Sequence, residues 1–356
     1  MIIIAEYNSR EINFSVFKKE NGFSSFTKNI EEIQDEASVS KILRLVSKGE
    51  KPKALAFKLP FGGDIFKEPV ALDDDFFIEF KKLTPFMPFY VPPASAILEA
   101  FYKCVKNIPI IVFFETAFFS RLPEPEKYYA IASEYLDKSR IKRWGFHGLF
   151  HEFNAAIDKK QHKTISIVLD KQTTVSAISG NKPLTISLGY TPLEGIMSRT
   201  SCGDIDPGIV FYLMKMQDFS IFKIDDILKK ESGFFGLTGY NISINELAKL
   251  YGKDSKVDLA FSVYENQILK YIGEGISVLG GLDTVVFSGN NIEALKSFIY
   301  HLVKKISFLG INLKDLPWVK DEDIVCISSD LSKVNVYINY TESSKIVYNR
   351  LMKYVN

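Results

Sequence analysis

Apolar positions recur along this chain with two periods, and stretches of the two periods alternate. Ile2-Ile3-Ile4-Ala5 is a short apolar run that predicts a buried strand. Ile12, Phe14 and Val16 then alternate with Asn13 and Ser15, the period of a second strand. Residues 38–46 read as a helix, and Ala54-Leu55-Ala56-Phe57 as a strand running out into Lys58-Leu59-Pro60-Phe61-Gly62-Gly63. Helices are predicted to begin at 76 and to span 95–106, the second with Ile97, Ala100, Phe101 and Cys104 on one face. Pro109-Ile110-Ile111-Val112-Phe113-Phe114 is a continuous apolar strand. It delivers Glu115-Thr116-Ala117-Phe118 at its carboxyl end, where open α/β sheets place their chemistry.

The second half repeats the alternation. A strand at 164–169 leads to a hairpin of 175–178 and 183–186, turning at Gly180-Asn181. Helices are predicted from Pro207, over 225–230, over 257–279 and over 298–308, with a last one running to Met352. Strands are predicted at 283–288, 324–327 and 334–338. Strands alternating with helices predict two α/β domains with a cleft between them. The loop at 188–208 stands out, with Gly189, Gly195, Gly203, Gly208, Pro192 and Pro207. Asp204 and Asp206 suit a helix cap or a cation, and the helix N-terminus at Pro207 suits an anion. A long, well-packed loop explains the same composition.

Composition excludes several classes. The chain has 356 residues, 46% hydrophobic, enough for two cores. A net charge of +1 argues against a dedicated nucleic-acid binder. Cys104, Cys202 and Cys326 are isolated, form no metal spacing and suggest a reducing compartment. No basic segment precedes the apolar start, which reads as a strand and not as a signal peptide. No apolar run approaches the roughly 18 residues of a membrane span, so a cytoplasmic location is expected.

Gly189-Tyr190-Thr191-Pro192-Leu193-Glu194-Gly195-Ile196-Met197, followed by Cys202-Gly203-Asp204-Ile205-Asp206-Pro207, resembles the signature of the acetate/propionate kinase family. Gly145-Phe146-His147-Gly148 with His151, Glu115-Thr116-Ala117-Phe118, Ser232-Gly233-Phe234-Phe235-Gly236-Leu237-Thr238-Gly239 and Asn339-Tyr340-Thr341-Glu342 extend the resemblance over nearly the whole chain. It implies two duplicated actin-like, sugar-kinase-like (ribonuclease H-like) domains, 1–118 plus 341–356 and 119–340. It implies ATP, Mg2+ and a short carboxylate as reactants, an acyl phosphate as product, and a homodimer formed through the helix at 257–279.

The same resemblance gives residues their roles. Lys58, Glu115, His147 and Arg199 fall at or beside catalytic positions, and Tyr90, Phe146 and Pro192 at the carboxylate site. Asn8, Gly289, Asn290 and Asn291 fall at the nucleotide, and Glu342 at a magnesium-linked carboxylate. Departures are concentrated at these positions. Lys58 and Ser201 stand where the family has catalytic arginines, Phe61 and Tyr90 where it has histidines, and Glu115 where it has an aspartate. The turns at Asn8-Ser9-Arg10-Glu11, at 170–174 and at 290–294 lack the family's glycines. Each residue also has a plain reading: an ordinary hairpin at Asn8, a strand-end lysine at 58, a capping or core histidine at 147, a helix-start acid at 342. His147 and His151, four apart, suit a metal pair as well, but no third ligand is evident. Two functions follow: a phosphotransferase making an acyl phosphate, or a degenerate homologue acting as a binding or regulatory protein.

Overall fold

The computed structural model describes residues 1–8, 11–18, 23–29, 33, 35–139, 141–160, 162–314 and 318–355. Ser9 and Arg10 of the first turn lie outside the described residues. The first sheet holds β1 (Ile2–Tyr7), β2 (Glu11–Phe17), β3 (Phe23–Asn29), β4 (Ala54–Leu59), β5 (Val70–Ala71) and β6 (Ile110–Phe114), in the order β3-β2-β1-β4-β6-β5. The second holds β7 (Lys163–Leu169), β8 (Thr173–Ser179), β9 (Lys182–Pro183), β10 (Thr284–Ser288), β11 (Ile324–Cys326) and β12 (Asn335–Asn339), in the order β11-β12-β10-β7-β8-β9. Both follow one path. An antiparallel meander comes first, then two strands parallel to its first strand, then a short antiparallel edge strand. The chain is one α/β plan built twice.

The apolar runs explain the middle of each sheet. Parallel strands covered on both faces are apolar at every position, and β6, Ile-Ile-Val-Phe-Phe, is buried throughout. One face of the first sheet carries an aromatic core, with Phe66 stacked on Phe114 at 4.7 Å and Phe76 on Phe80 at 5.3 Å. The opposite face packs Ile2, Ile4, Ala54 and Ala56 against Ile346, Val347 and Leu351 of the last helix, Ser343–Leu351. Leu149 and Phe150 of the Gly148–Ala155 helix and Val168 of β7 complete that cluster, so one core spans both sheets. Among the described residues no helix is long and apolar enough to cross a membrane.

One expectation needs correction. The strand predicted at 183–186 stops after Pro183, because the backbone amides of Leu184 and Thr185 both donate to the Ala177 carbonyl, at 2.8 and 3.4 Å. Two residues opposite one is a bulge, and beyond it the β8 amides of Ala177 and Val175 donate to the Thr185 and Ser187 hydroxyls. The long helix, Ser255–Leu279, does not present its apolar face to solvent. Ile268, Ile272 and Leu279 lie in the second core, and only Leu259 and Val278 among its large apolar residues are exposed. The exposed apolar surface is elsewhere. The Pro207–Gln217 helix buries no residue and shows Ile209, Phe211, Tyr212, Met214 and Met216 to solvent, next to Ile221 and Phe222.

Candidate active site

Parallel register assembles a charged cluster at the ends of three strands. β1 and β4 pair so that Glu6 lies beside Lys58, and the amide of Glu115 donates to the Leu59 carbonyl at 2.9 Å. The Lys58 ammonium lies 2.9 Å from Glu6 Oε1 and 2.9 Å from Glu115 Oε1, and donates to Ser343 Oγ at 2.7 Å. Two ion pairs and one hydrogen bond thus hold the Lys58 ammonium within the protein. Burial alone would push its pKa down; the Glu115 and Glu6 carboxylates outweigh burial and hold it above the ordinary lysine value. Lys58 is a cation here, and its charge is already spent.

Glu115 is buried, 4% exposed. Its carbonyl accepts the Gly148 amide at 2.9 Å and its Oε2 accepts the Leu149 amide at 3.4 Å. The carboxylate therefore caps the Gly148–Ala155 helix from across the chain. Gly148 permits this approach, since a Cβ there would lie 2.2 Å from the Glu115 carbonyl oxygen. The residue before it, His147, has φ +59, a left-handed conformation uncommon outside glycine.

His147 and His151 are not a metal pair. His147 Nδ1 lies 3.0 Å from Thr174 Oγ1, and the same hydroxyl lies 2.9 Å from His151 Nε2. The other nitrogen of His151, Nδ1, is 2.8 Å from Ser166 Oγ. Burial lowers the pKa of His147; Glu115 and Asp170 oppose this and Lys58 reinforces it. Burial, with His147 adding to it, lowers His151 much further. Both rings are neutral near pH 7.

A cavity of about 1110 Å³ opens at the β7–β8 turn, and Glu6, Lys58, Glu115, His147 and Ser343 are not on its wall. Asp170, Gln172 and Thr173 from the β7–β8 turn, Asn291 beyond β10, Phe234 and the loop from Thr191 to Ser201 line it. Of the expected site residues, Pro192, Arg199 and Asn291 reach it. Arg199 is exposed and donates to Asn241 Oδ1 at 2.7 Å. Ser201 is closed in, with its Oγ 2.7 Å from Ser198 Oγ and accepting from Gln172 Nε2 at 3.2 Å. Gln172 also donates to the Pro192 carbonyl, so the glycine-free turn is laced to the 188–208 loop. Asn290 Nδ2 donates to Asp170 Oδ2 at 3.0 Å. Gly289 has φ +106, and a Cβ there would meet the Leu169 carbonyl oxygen at 2.5 Å.

The remaining expected residues are scattered around the two features. Asn8 holds its own turn, accepting the Glu11 amide at 3.0 Å and donating to Glu11 Oε1 at 3.2 Å. Tyr90 packs against Tyr7 with ring centroids 5.5 Å apart, and Phe146 is buried in the first core. Among the described residues, the Tyr7 and Tyr90 hydroxyls and the Trp144 indole N–H are buried without a hydrogen-bond partner. Glu342 is exposed at the start of the last helix and makes no capping bond, while its neighbour Ser343 accepts a hydrogen bond from the Lys58 ammonium. Asp206, not a bound anion, caps the Pro207–Gln217 helix at the Gly208 amide, 2.7 Å away. Asp204 is likewise no cation ligand: it accepts from the Gly195 amide at 2.7 Å and from the Tyr271 hydroxyl.

Sequence reasoning missed Glu6, Asp170, Thr174, Ser166, Asn154 and Ser343. For the strand residues the signal was there, since Ser166 and Thr174 are polar side chains at fully buried strand positions.

Comparison with known proteins agrees with this geometry. The chain superposes on Porphyromonas gingivalis acetate kinase with a TM-score of 0.88, 22% identity and coverage of 100% of this chain and 99% of that one. A propionate kinase from Francisella tularensis gives a TM-score of 0.84, 23% identity and coverage of 97% of each chain. These likenesses establish the two-domain, actin-like kinase fold. In sequence the chain is 32% identical to Corynebacterium jeikeium acetate kinase over 296 residues, covering 80% of this chain and 73% of that one. It is 27% identical to the Clostridium novyi acetate kinase over 339 residues, covering 92% and 84%. A family model described as the Acetokinase family matches residues 8–349. With one plan built twice, a strand-end charge cluster and a match over nearly its whole length, this chain belongs to the acetokinase family.

Proposed function

We propose that the chain is a slow phosphotransferase that makes an acyl phosphate and ADP from ATP and a short carboxylate. A carboxylate oxygen attacks the γ-phosphorus, a new P–O bond forms, and the bond to the β-phosphate oxygen breaks, with ADP leaving. The protein's part in such a transfer is positioning and charge stabilisation. The cavity beside β7, β8 and β10 is large enough for a nucleotide, and Arg199 and Lys229 on its wall suit polyphosphate. The partnerless donors of Tyr7, Tyr90 and Trp144 would each gain from a small anionic or polar guest. The domain division at 1–118 plus 341–356 against 119–340 is part of the same reading, with the last helix packed on the first sheet in support.

One observation supports slow turnover: the Lys58 ammonium is paired with Glu6 and Glu115, donates to Ser343 and is not offered to a phosphoryl group. A cation that must first be released stabilises a transition state less than one held free and aimed. Ser201 offers no charge, and Arg199 is turned to Asn241. These features equally favour the second reading, a homologue that binds without turnover.

A protein-built magnesium centre does not fit these residues. Glu6 and Glu115 are both paired with Lys58, Glu342 makes no capping bond, and no group of three or more acidic, His or Cys residues able to hold a metal occurs among the described residues. Magnesium held chiefly by substrate phosphates is compatible with so few protein ligands. No step here is assigned to it.

The exposed apolar surface on the Pro207–Gln217 helix and at Phe222 supports a homodimer seated there. Three free cysteines and ATP as donor favour a cytoplasmic location. Calorimetric titration with ATP tests the site. Weak, millimolar-range binding is expected, because Gln172, Thr173, Asn290 and Asn291 replace bare glycine turns. Micromolar binding would contradict that expectation.

A further inference from the structure

We propose that a directed chain of buried hydrogen bonds, running from the Thr341 amide through Asn339, Asn154, Ser166, His151 and Thr174, locks His147 as the tautomer carrying its proton on Nε2. Thr174 and His151 are then positioning residues, and His147 presents a fixed N–H donor to an anionic oxygen. The use made of that donor rests on the phosphotransfer reading above; the tautomer itself does not.

Donor and acceptor counting fixes the direction at each link. The Thr341 backbone N–H can only donate, and it donates to Asn339 Oδ1 at 2.9 Å. That leaves Asn339 Nδ2 to donate to Asn154 Oδ1, at 2.8 Å. Asn154 Nδ2 therefore points the other way and gives its hydrogens to Ser166 Oγ at 2.9 Å and Ser288 Oγ at 2.8 Å. The Ser166 hydroxyl, having accepted from Asn154, has its own proton to place, and its remaining recorded partner is His151 Nδ1 at 2.8 Å. His151 is neutral, so a nitrogen that accepts leaves the other as the donor. His151 Nε2–H donates to Thr174 Oγ1 at 2.9 Å, and the Thr174 hydroxyl proton goes to His147 Nδ1 at 3.0 Å. The His147 proton is left on Nε2.

Burial makes the chain rigid. Asn339, Ser166, His151 and Thr174 are wholly inaccessible to water and Asn154 nearly so, and no solvent molecule can relieve a reversed link. A reversal leaves two lone pairs or two protons facing each other in the interior, a cost of about 1–3 kcal/mol for each group left unsatisfied. The chain also starts where it ends. Thr341 lies two residues before Ser343, which holds the Lys58 ammonium, and His147 adjoins the helix that Glu115 caps. Residues from the second sheet thus set the protonation pattern of a group at the rim of the first.

Long-range nitrogen–proton correlation spectra of the histidine-labelled protein read the tautomers directly, and the chain contains only four histidines. Near pH 7.5, without substrate, His147 and His151 are both expected as the Nε2–H form, with no detectable exchange to the other. A His147 proton on Nδ1, or a mixture of the two forms, overturns the proposal. Asn154→Asp tests direction. A carboxylate there can only accept, so Ser166 donates to it, every later link reverses, and His147 is expected to switch to the Nδ1–H form. A folded Asn154→Asp protein in which His147 keeps Nε2–H refutes the relay. Thr174→Val should leave His147 free to populate both forms, and Thr174→Ser should restore one. If Thr174→Val and Asn154→Asp fail to fold, the unaltered and Thr174→Ser spectra still decide. Inorganic phosphate is then added: a shift at His147 Nε2 supports its use as a donor. The Nε2–H form with no response to phosphate leaves the relay standing and counts against the phosphotransfer reading alone.

Discussion

Replacing Lys58 with methionine isolates what the charge cluster is worth. The substitution keeps most of the aliphatic stem and removes the ammonium. Glu115, 4% exposed, then faces Glu6 with no cation between them. Removing one partner of a buried pair costs about 3–5 kcal/mol, because a charge stays buried without compensation. For a domain of ordinary size each kcal/mol is about 2–4 °C in melting temperature, so the expected loss is about 6–20 °C. The pH dependence has a definite sign. In the unaltered protein the Lys58 pKa is raised, so its contribution is complete below the ordinary lysine pKa and is lost only as pH rises through the folded value. From about pH 5 to about pH 9 it is constant. In the variant, a buried carboxylate without its cation takes up a proton more readily, so the deficit is greatest in alkaline buffer and shrinks on acidification. Lys58→Met/Glu115→Gln, which removes both charges, should recover most of the loss. Calorimetric melts at several pH values check this. A loss below about 1 kcal/mol that does not vary with pH is the behaviour of a solvated pair and would refute a buried cluster.

Gly148→Ala should destabilise by about 1–3 kcal/mol, since its Cβ would sit 2.2 Å from the Glu115 carbonyl oxygen; an unchanged melt would show that the helix start can retreat. Burial depresses the His147 and His151 pKa values, so each contributes stability above the ordinary histidine pKa that is lost as pH falls below it. The slope is about 1.4 kcal/mol per pH unit for each ring until its folded pKa is reached, and equilibrium unfolding between pH 7 and 5 measures it. Phe222→Asp places a charge on the exposed apolar surface and should convert a dimer to a monomer in sedimentation at micromolar concentration; a dimer that persists places the interface elsewhere.

Much of the fold was legible because it follows from periodicity. The continuous runs at Ile2 and Ile110 and the alternation at Ile12 marked β1, β6 and β2 without help from tertiary structure. The β-bulge at Ala177 was not legible, because hydrogen bonds accepted by the Thr185 and Ser187 hydroxyls, and not apolar pattern, decide where β9 ends. The long helix was legible as a core helix from its recurring apolar residues, and Ile268 and Ile272 are used inward. At the site, the positions of Lys58 and Glu115 could be read as strand ends. That Lys58 is held by the protein could not, because Glu6 and Ser343 reach it only through strand register and the return of the last helix. Arg199, two positions from Ser201, is a substitute cation in sequence but turns to Asn241 in space.

The most direct test of a transfer site with a captive cation is hydroxamate trapping of the acyl phosphate formed from ATP and acetate. It is run on the unaltered protein and on Lys58→Arg/Glu115→Asp/Ser201→Arg. Two guanidinium forks and a shorter carboxylate restore paired recognition of the transferring phosphoryl group. Groups that act as one unit are non-additive, so the single changes should do little. The expected result is slow product formation by the unaltered protein and a gain on the order of 10²-fold or more in the triple variant. Rapid turnover by the unaltered protein, or a folded triple variant no faster than it, would contradict the assignment of slow turnover to the capture of Lys58.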